Sequence, residues 1–402
     1  METKKINVLM VNYEFPPIGG GGGTTTRFLA KYLARLGVKV EILTAKPGNQ
    51  DFFDHPDGFR LYYVGPKKTK LTTTHIPELA RFILTTIFHG KTVIKTVKPD
   101  LIHCFFTLPS GCFGLYCNKR FDIPYITSTL GADVPGFNIG DWRLNVYHWF
   151  TQLLSKDIWN NSSYIVANSS SLRDLCTKFS STKDIKILTN GVDTDVFFPP
   201  KNKDYHTKNN VELLYISRLT WQKGIETLIR ACGILNMRGI KNYNLTVVGD
   251  GHLKSAMLAL IDEFKIRDKV NFLGWKNLEE LPKIYRSADV FILPSVMEGM
   301  PSVALQAIAS GLPIIVSRVE GFEEILEEGF NGFSAAYNNP EEFADAIEKL
   351  IKSPELRIKM SQRSITKAKQ FSWESIASQY LKLYEKSVFS SSKRRKEEPA
   401  LL

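Results

Sequence analysis

The sequence predicts an α/β protein with two Rossmann-like domains facing a central cleft. Three observations carry this. Short apolar runs alternate with helix-patterned segments, and the alternation occurs twice. A polar stretch, Lys201–Asn210, has no apolar periodicity and separates the two series. The 402 residues suffice for two cores without disulfide or metal staples.

In the first series the strand-like runs are Ile6–Asn12, Val38–Thr44, Leu61–Val64, Leu101–Phe106, Tyr125–Thr129, Tyr164–Ala167 and Ile185–Leu188. Phe28, Leu29, Tyr32, Leu33 and Leu36 recur at helical spacing, as do Ile76, Leu79, Ile83 and Ile87. Phe197-Phe198-Pro199-Pro200 leads into the polar linker. The second series is Leu213–Ile216, Leu245–Val248, Val270–Leu273, Val290–Leu293 and Pro313–Val316. A last helix follows Ser372 as N-cap, with the stripe Trp373, Ile376, Tyr380 and Tyr384. The expected layout is 1–196 for domain one and 197–371 for domain two. A helix at 372–389 then returns toward domain one, and a basic disordered tail occupies 390–402.

Composition narrows the function. Apolar residues at 43% and charged residues at 23% exclude wholesale disorder. The net charge of +11 favours acidic partners, whether phosphorylated ligands or an anionic membrane. Five cysteines without a CxxC pair argue for a reducing compartment, and seven histidines without an HxxxH pair argue against zinc. Met1–Val11 reads as a first strand and not a signal peptide, and no apolar run reaches the ~18 residues of a membrane span. A cytoplasmic protein is expected, peripheral on the inner face of the membrane.

Three motifs point to an anionic ligand. Gly19–Gly23 lies between the first strand and an amphipathic helix, where backbone amides approach a ligand and the helix dipole favours negative charge. Thr24 stands where G-x-G-x-x-G needs its last glycine, and no Gly-Lys-Ser/Thr follows, so neither a dinucleotide fingerprint nor a P-loop is present. Ser217-Arg218-Leu219-Thr220-Trp221-Gln222-Lys223-Gly224 ends the first strand of domain two, with two cations suited to a diphosphate. In Pro294–Ser302 a strand ends and a helix opens at Pro301, so Glu298 sits in the strand-end loop. Gln306 follows eight residues later, inside the helix.

These elements, in order, resemble the family 4 retaining glycosyltransferases of GT-B fold. Asn190-Gly191-Val192-Asp193, Gly249-Asp250-Gly251, Phe272-Leu273-Gly274 and Ala288-Asp289-Val290 complete the set, which covers nearly the whole chain. The resemblance implies transfer of a sugar from a nucleotide-sugar with retention of configuration. It implies that Arg218 and Lys223 hold the donor diphosphate and that Glu298 contacts donor sugar hydroxyls. Gly274 and Trp275 would line the base pocket, and Gly21 and Gly22 would lie near the diphosphate and acceptor. Gly299, Met300, Pro301 and Ser302 belong to the same donor-binding element. The sequence departs from the family in two places. Gln306 replaces the second glutamate, which usually holds the ribose, and Leu130 replaces the histidine of a His-Gly-x-Asp element, whose Asp133 remains beside the acceptor or donor sugar.

Other signals have plainer readings. Asp193-Thr194-Asp195 reads as a turn beside the linker and not as a metal-binding D-x-D. His103 reads as a satisfied buried histidine. Trp142, Tyr147, Trp149 and Phe150 read as core packing, with an acceptor platform as the alternative. The expectation is a metal-independent retaining hexosyltransferase without a resident cofactor, using a UDP- or GDP-linked donor and a saccharide or lipid-linked acceptor. Cell-surface polysaccharide or glycolipid synthesis is its expected setting, and nucleic acid is not an expected partner. A nucleotide-sugar isomerase (epimerase) and an inactive nucleotide-sugar binder are the alternatives. Residues 1–200 carry 23 Lys/Arg against 16 Asp/Glu. Lys91, Lys95 and Lys98 share a helical face, with Lys67, Lys68 and Lys70 in a nearby segment, so domain one is the side expected to meet anionic lipid.

Overall fold

The computed structural model describes residues 6–68, 76–137, 142–180, 184–201 and 210–397. The chain divides into two compact units, Met1–Gly191 with Trp373–Leu402, and Val192–Ser372. The polar linker and Lys70 lie largely or wholly outside the described residues.

The first unit holds eight strands: β1 (Asn7–Val11), β2 (Lys39–Ala45), β3 (Phe52–His55), β4 (Phe59–Val64), β5 (Leu101–Phe105), β6 (Tyr125–Thr129), β7 (Tyr164–Ala167) and β8 (Ile185–Ile187). They form one sheet in the order β3-β4-β2-β1-β5-β6-β7-β8. Every pairing is parallel except the β3–β4 hairpin. The helices are α1 (Gly21–Arg35), α2 (Ile76–Val97), α3 (Ser110–Phe121), α4 (Trp142–Asn161) and α5 (Ser170–Phe179). Strands β1, β5 and β6 are buried almost throughout, as sheets covered on both faces require.

The second unit holds β9 (Val211–Ile216), β10 (Tyr243–Val248), β11 (Val270–Gly274), β12 (Val290–Leu293), β13 (Ile314–Ser317) and β14 (Gly332–Ala335). These form an all-parallel sheet in the order β11-β10-β9-β12-β13-β14. Its helices are α6 (Ile225–Met237), α7 (Lys254–Glu263), α8 (Leu281–Ser287), α9 (Ser302–Ala309), α10 (Pro340–Lys352) and α11 (Pro354–Ala368). The last helix, α12 (Trp373–Glu397), belongs to the first unit. Both sheets are thus the Rossmann-like ones expected. In each, the order reverses at the strand that opens the unit, between β1 and β5 and between β9 and β12. Ligands of open α/β sheets bind at the carboxyl edge of such reversals.

Four details differ from the sequence reading. The chain changes unit at Gly191/Val192 and not at 196/197, and Phe197, the expected first residue of domain two, is buried edge-on against Tyr285 there. β3 was not expected, because Phe52 and Phe53 are exposed and show no buried alternation. β14 has a glycine for its first residue, and a Cβ there would lie 2.0 Å from the Ile314 carbonyl oxygen, so close strand approach replaces an apolar run. The helix expected to end at 389 continues to Glu397, since neither glycine nor proline interrupts it.

Trp373, Ile376, Tyr380 and Tyr384 of α12 are buried among Leu101, Phe105, Ile126 and Leu29. His103 ties α12 to the sheet. Its Nδ1 lies 2.7 Å from the Tyr384 hydroxyl and its Nε2 2.8 Å from Ser128 Oγ, which in turn is 3.1 Å from the Tyr380 hydroxyl. Burial lowers its pKa to about 3, so the ring is neutral. The reading of His103 as a satisfied buried residue holds.

Candidate functional site

In the second unit the strand-end segments after β9 and β12 are fastened together at the reversal of strand order. Gly224 closes a single 3₁₀ turn, Trp221–Lys223, with φ of 64°. A Cβ on Gly224 would lie 1.8 Å from the Pro294 carbonyl oxygen, so only glycine lets the two segments touch. The Val296 amide donates to the Gln222 carbonyl at 2.8 Å. Gly321, at φ of 93°, packs in the same way, its missing Cβ 2.7 Å from the carbonyl oxygens of Glu298 and Gly299.

This scaffold brings Lys223 to Glu298. The ammonium donates to Glu298 Oε1 at 2.6 Å, and Ser295 Oγ donates to the same oxygen at 2.7 Å. Side-chain exposure is 17% for Lys223 and 7% for Glu298, so the pair is largely desolvated. Among the described residues no donor reaches Oε2, which can therefore accept from a ligand hydroxyl. Arg218 is exposed at the end of β9. Tyr215, buried in that strand, donates its hydroxyl to the Lys223 carbonyl at 3.2 Å. Burial and the neighbouring Glu298 charge push its phenol well above the usual range, so it remains a neutral donor. Sequence reasoning named Arg218, Lys223 and Glu298 but missed Tyr215 and Ser295, whose roles depend on contacts between segments.

The other residues expected at the donor site are held in different ways. Gly299 follows Glu298 in the loop, and Met300 is buried in the core, so its backbone is what it can offer a ligand. Pro301 caps α9 and Ser302 is exposed in its first turn. Gln306 Oε1 accepts from the Tyr285 hydroxyl at 3.1 Å, and that hydroxyl also lies 2.9 Å from the Val303 carbonyl oxygen. Gly274 ends β11 at φ of 70° with open space where a Cβ would be, and its carbonyl accepts from the Gly249 amide at 2.9 Å. Trp275 beside it is 72% exposed, an aromatic face presented to solvent. Asp193 Oδ1 accepts from the Asp195 amide at 3.2 Å and its carbonyl from the Phe197 amide at 2.9 Å, the hydrogen bonding of a turn.

The first unit has its own cluster at the carboxyl ends of β1 and β5. Helix α1 opens at Gly21, and Gly20 and Gly21 have nothing within reach of a Cβ, leaving the Gly21 amide approachable. Gly22 is a packing position, its missing Cβ 2.6 Å from the Phe106 ring and 3.1 Å from Leu130. Asn12, fully buried, donates to Thr26 Oγ1 at 2.7 Å and to the Gly22 carbonyl at 3.3 Å, and so fixes the helix start. Glu14 accepts from the Gly20 amide at 3.2 Å.

Asp133 is held by four donors. The Thr107 amide and hydroxyl reach Oδ2 at 2.8 and 3.1 Å, and the amides of Leu130 and Gly131 reach Oδ1 at 2.9 and 3.1 Å. Burial raises its pKa while these hydrogen bonds oppose the rise. The carboxylate thus braces the loops after β5 and β6. The aromatic cluster of α4 is not core as expected: Trp149 is 66% and Phe150 73% exposed, and only Tyr147 packs against the core. The side chain of Trp142 lies outside the described residues.

Comparison with known proteins agrees with this arrangement. Residues 19–196 match the family described as Glycosyltransferase Family 4, and residues 199–367 match Glycosyl transferases group 1. An uncharacterized glycosyltransferase of Methanocaldococcus jannaschii is 28% identical over 400 residues, covering 94% of this chain and 98% of that one. The sucrose-phosphate synthase of Thermosynechococcus elongatus superposes with a TM-score of 0.79 at 22% identity, over 96% of this chain and 100% of that one. Anabaena HepE in complex with UDP and glucose gives 0.69 at 17% identity, over 94% and 99%. With both units matched in order and both sheets of the expected kind, the chain belongs to the family 4 glycosyltransferases and has the two Rossmann-like units of the GT-B fold.

Proposed function

We propose that this glycosyltransferase moves a hexose from a UDP- or GDP-linked donor to a saccharide or lipid-linked acceptor, with retention and without a metal or resident cofactor. The observation that carries the reading is the Lys223–Glu298 pair beside Arg218, at the strand reversal of the second unit. In the reaction the C1–oxygen bond to the diphosphate breaks and the acceptor oxygen bonds to C1 on the same face. The diphosphate leaves with the electron pair, and the acceptor proton passes to it. The developing negative charge is met by Arg218, Lys223 and backbone amides near Gly299, which serve the role a cation fills elsewhere. Glu298 Oε2 accepts from a donor sugar hydroxyl. Asp133 acts within the first unit, where it holds the loops after β5 and β6 in place. The UDP in the HepE structure is consistent with such a donor.

The test is nucleotide release from UDP- and GDP-hexoses, with and without acceptor, in excess chelator. Release that depends on acceptor, survives chelation and gives an unchanged anomeric configuration supports the reading. Nucleotide and free sugar without acceptor would indicate an isomerase-like or hydrolytic chemistry. Loss of activity on chelation would reinstate a metal.

We propose that the first unit also rests on an anionic membrane surface. Trp149, Phe150 and Leu153 are exposed along α4, and Phe88 and Leu84 along α2, with Lys91 and Lys95 on α2 nearby in sequence. Aromatic side chains beside lysines suit an interface of apolar tails and anionic headgroups. No helix among the described residues is long and apolar enough to cross a membrane. Flotation with anionic vesicles at low salt tests this, and protein left at the bottom of the gradient contradicts it.

A further inference from the structure

In the first unit the neighbouring strands β5 and β6 end in apolar side chains beside the glycine loop. Phe106 follows β5 and Leu130 follows β6. Both stand against Gly22, whose missing Cβ is 2.6 Å from the Phe106 ring and 3.1 Å from Leu130. Phe106 is held at φ of 69°, a conformation bulky residues rarely adopt, and its amide donates to the Ser128 carbonyl at 2.8 Å. The Tyr13 ring packs on it at 5.1 Å between centroids. Phe106 and Leu130 are half-buried, whereas the residues on either side of Phe106, from Leu101 to Ser110, are buried. Polar groups beside the pair are engaged inward. Asn12 donates to Thr26 and to the Gly22 carbonyl and accepts from the Glu14 amide at 3.0 Å. Thr107 Oγ1 donates to Asp133 and accepts from Trp159 Nε1 at 2.9 Å, and each oxygen of Asp133 has two donors.

We infer that Phe106 and Leu130 receive the methyl group of a substrate sugar, so that the sugar bound at this edge is a 6-deoxyhexose or an N-acetylated amino sugar. Leu130 stands where the family often carries a histidine, so a branched alkyl group replaces a hydrogen-bonding one. A hydroxymethyl group pressed against the pair would give up hydrogen bonds to water without gaining others, whereas a methyl group has none to lose. The strain at Phe106 points the same way. Glycine or asparagine would relax that backbone, yet the chain keeps a ring there, against the loop. One methylene more or less in an apolar pocket changes selection by roughly 10–200-fold, enough for the pair to set the class of sugar. The inference deepens the transferase reading above and rests on it for taking the guest to be a substrate sugar.

The test is ligand-observed NMR on the full chain, with UDP and GDP present and matched free sugars as probes. D-glucose is set against 6-deoxy-D-glucose and N-acetyl-D-glucosamine, and D-galactose against 6-deoxy-D-galactose and N-acetyl-D-galactosamine. A methyl-bearing sugar is expected to bind wild type at least tenfold more tightly than its parent, with saturation passing most strongly to its methyl protons. Which kind does so tells a 6-deoxyhexose from an N-acetylated sugar, and either supports the site. Leu130→His should cut the advantage to less than threefold, as should the shorter Leu130→Asn, while the volume-conserving Leu130→Met keeps it. Equal affinity for parent and methyl-bearing sugars in wild type overturns the inference. So does failure of every methyl-bearing sugar to bind, or an advantage that survives both polar variants. Nucleotide release that never depends on an acceptor, with the methyl preference intact, would instead remove the transfer reading and leave the pair assigned.

Discussion

The ammonium of Lys223 and the carboxylate of Glu298, 75 residues apart, meet at 2.6 Å where β9 and β12 end side by side. Each residue is needed by the other. Glu298 is nearly buried and would stand as an uncompensated charge without Lys223, and Lys223 is aimed by Glu298 and Ser295 into the strand-end loop.

Lys223→Ala is therefore expected to lower kcat/KM by the equivalent of about 2–5 kcal/mol and also to lower Tm, because a buried carboxylate loses its partner. Glu298→Gln keeps the shape, and its loss should fall on turnover with little change in Tm. Steady-state kinetics and thermal melts of both variants check the split. Wild-type turnover in folded Lys223→Ala would remove the pair from the site.

Gly224→Ala tests the scaffold beneath the pair. The substitution meets both a left-handed backbone and a Cβ position 1.8 Å from the Pro294 carbonyl oxygen. The conformation alone costs about 1–2 kcal/mol, and the overlap adds to it. A clear fall in Tm with loss of donor binding is expected, whereas Gly21→Ala, in the first turn of α1 with open space around it, should not lower Tm.

Gln306 is proposed to hold the ribose. Its amide oxygen already accepts from Tyr285, so its Nε2 is the group left to donate to a ribose oxygen. Gln306→Ala should weaken nucleotide affinity and shrink the preference over the 2′-deoxynucleotide, by about 1 kcal/mol. Gln306→Glu should remain active with a modest change, since Tyr285 can donate to a carboxylate. Titration of both nucleotides into the three proteins measures this, and an unchanged preference in Gln306→Ala would place Gln306 outside the site.

His103 sets a pH dependence of stability. Its pKa falls from 6.5 to about 3 on folding, so below pH 6.5 the unfolded chain takes up a proton that the native chain refuses. Its contribution is complete above pH 6.5 and declines as pH falls toward 3, by about 2 kcal/mol at pH 5. Denaturant melts at pH 7 and pH 5 should show a drop smaller by that amount in His103→Phe, whatever that variant loses at pH 7. An equal drop in both proteins would contradict it.

Much of this was legible in the sequence, for physical reasons. Buried parallel strands such as β1, β5 and β12 read as continuous apolar runs, and Arg218, Lys223 and Glu298 stood out as charges where such runs end. Strand β3 left no such trace, because both its phenylalanines face solvent. Which face of α4 turns outward depends on its neighbours, so Trp149 and Phe150 could not be told from core residues by type. The hold of Tyr215 on the Lys223 backbone, the four donors on Asp133 and the Tyr285–Gln306 contact join segments distant in sequence or separated by a turn. Neither spacing nor composition encodes such contacts.

The central claim is that the strand-end cluster of the second unit binds the donor diphosphate. It is tested most directly by titrating UDP, GDP and ADP into wild type, Arg218→Ala and Lys223→Ala by calorimetry. The account predicts that wild type binds UDP or GDP and that each folded variant binds it at least tenfold more weakly. Equal affinity in all three proteins would contradict it.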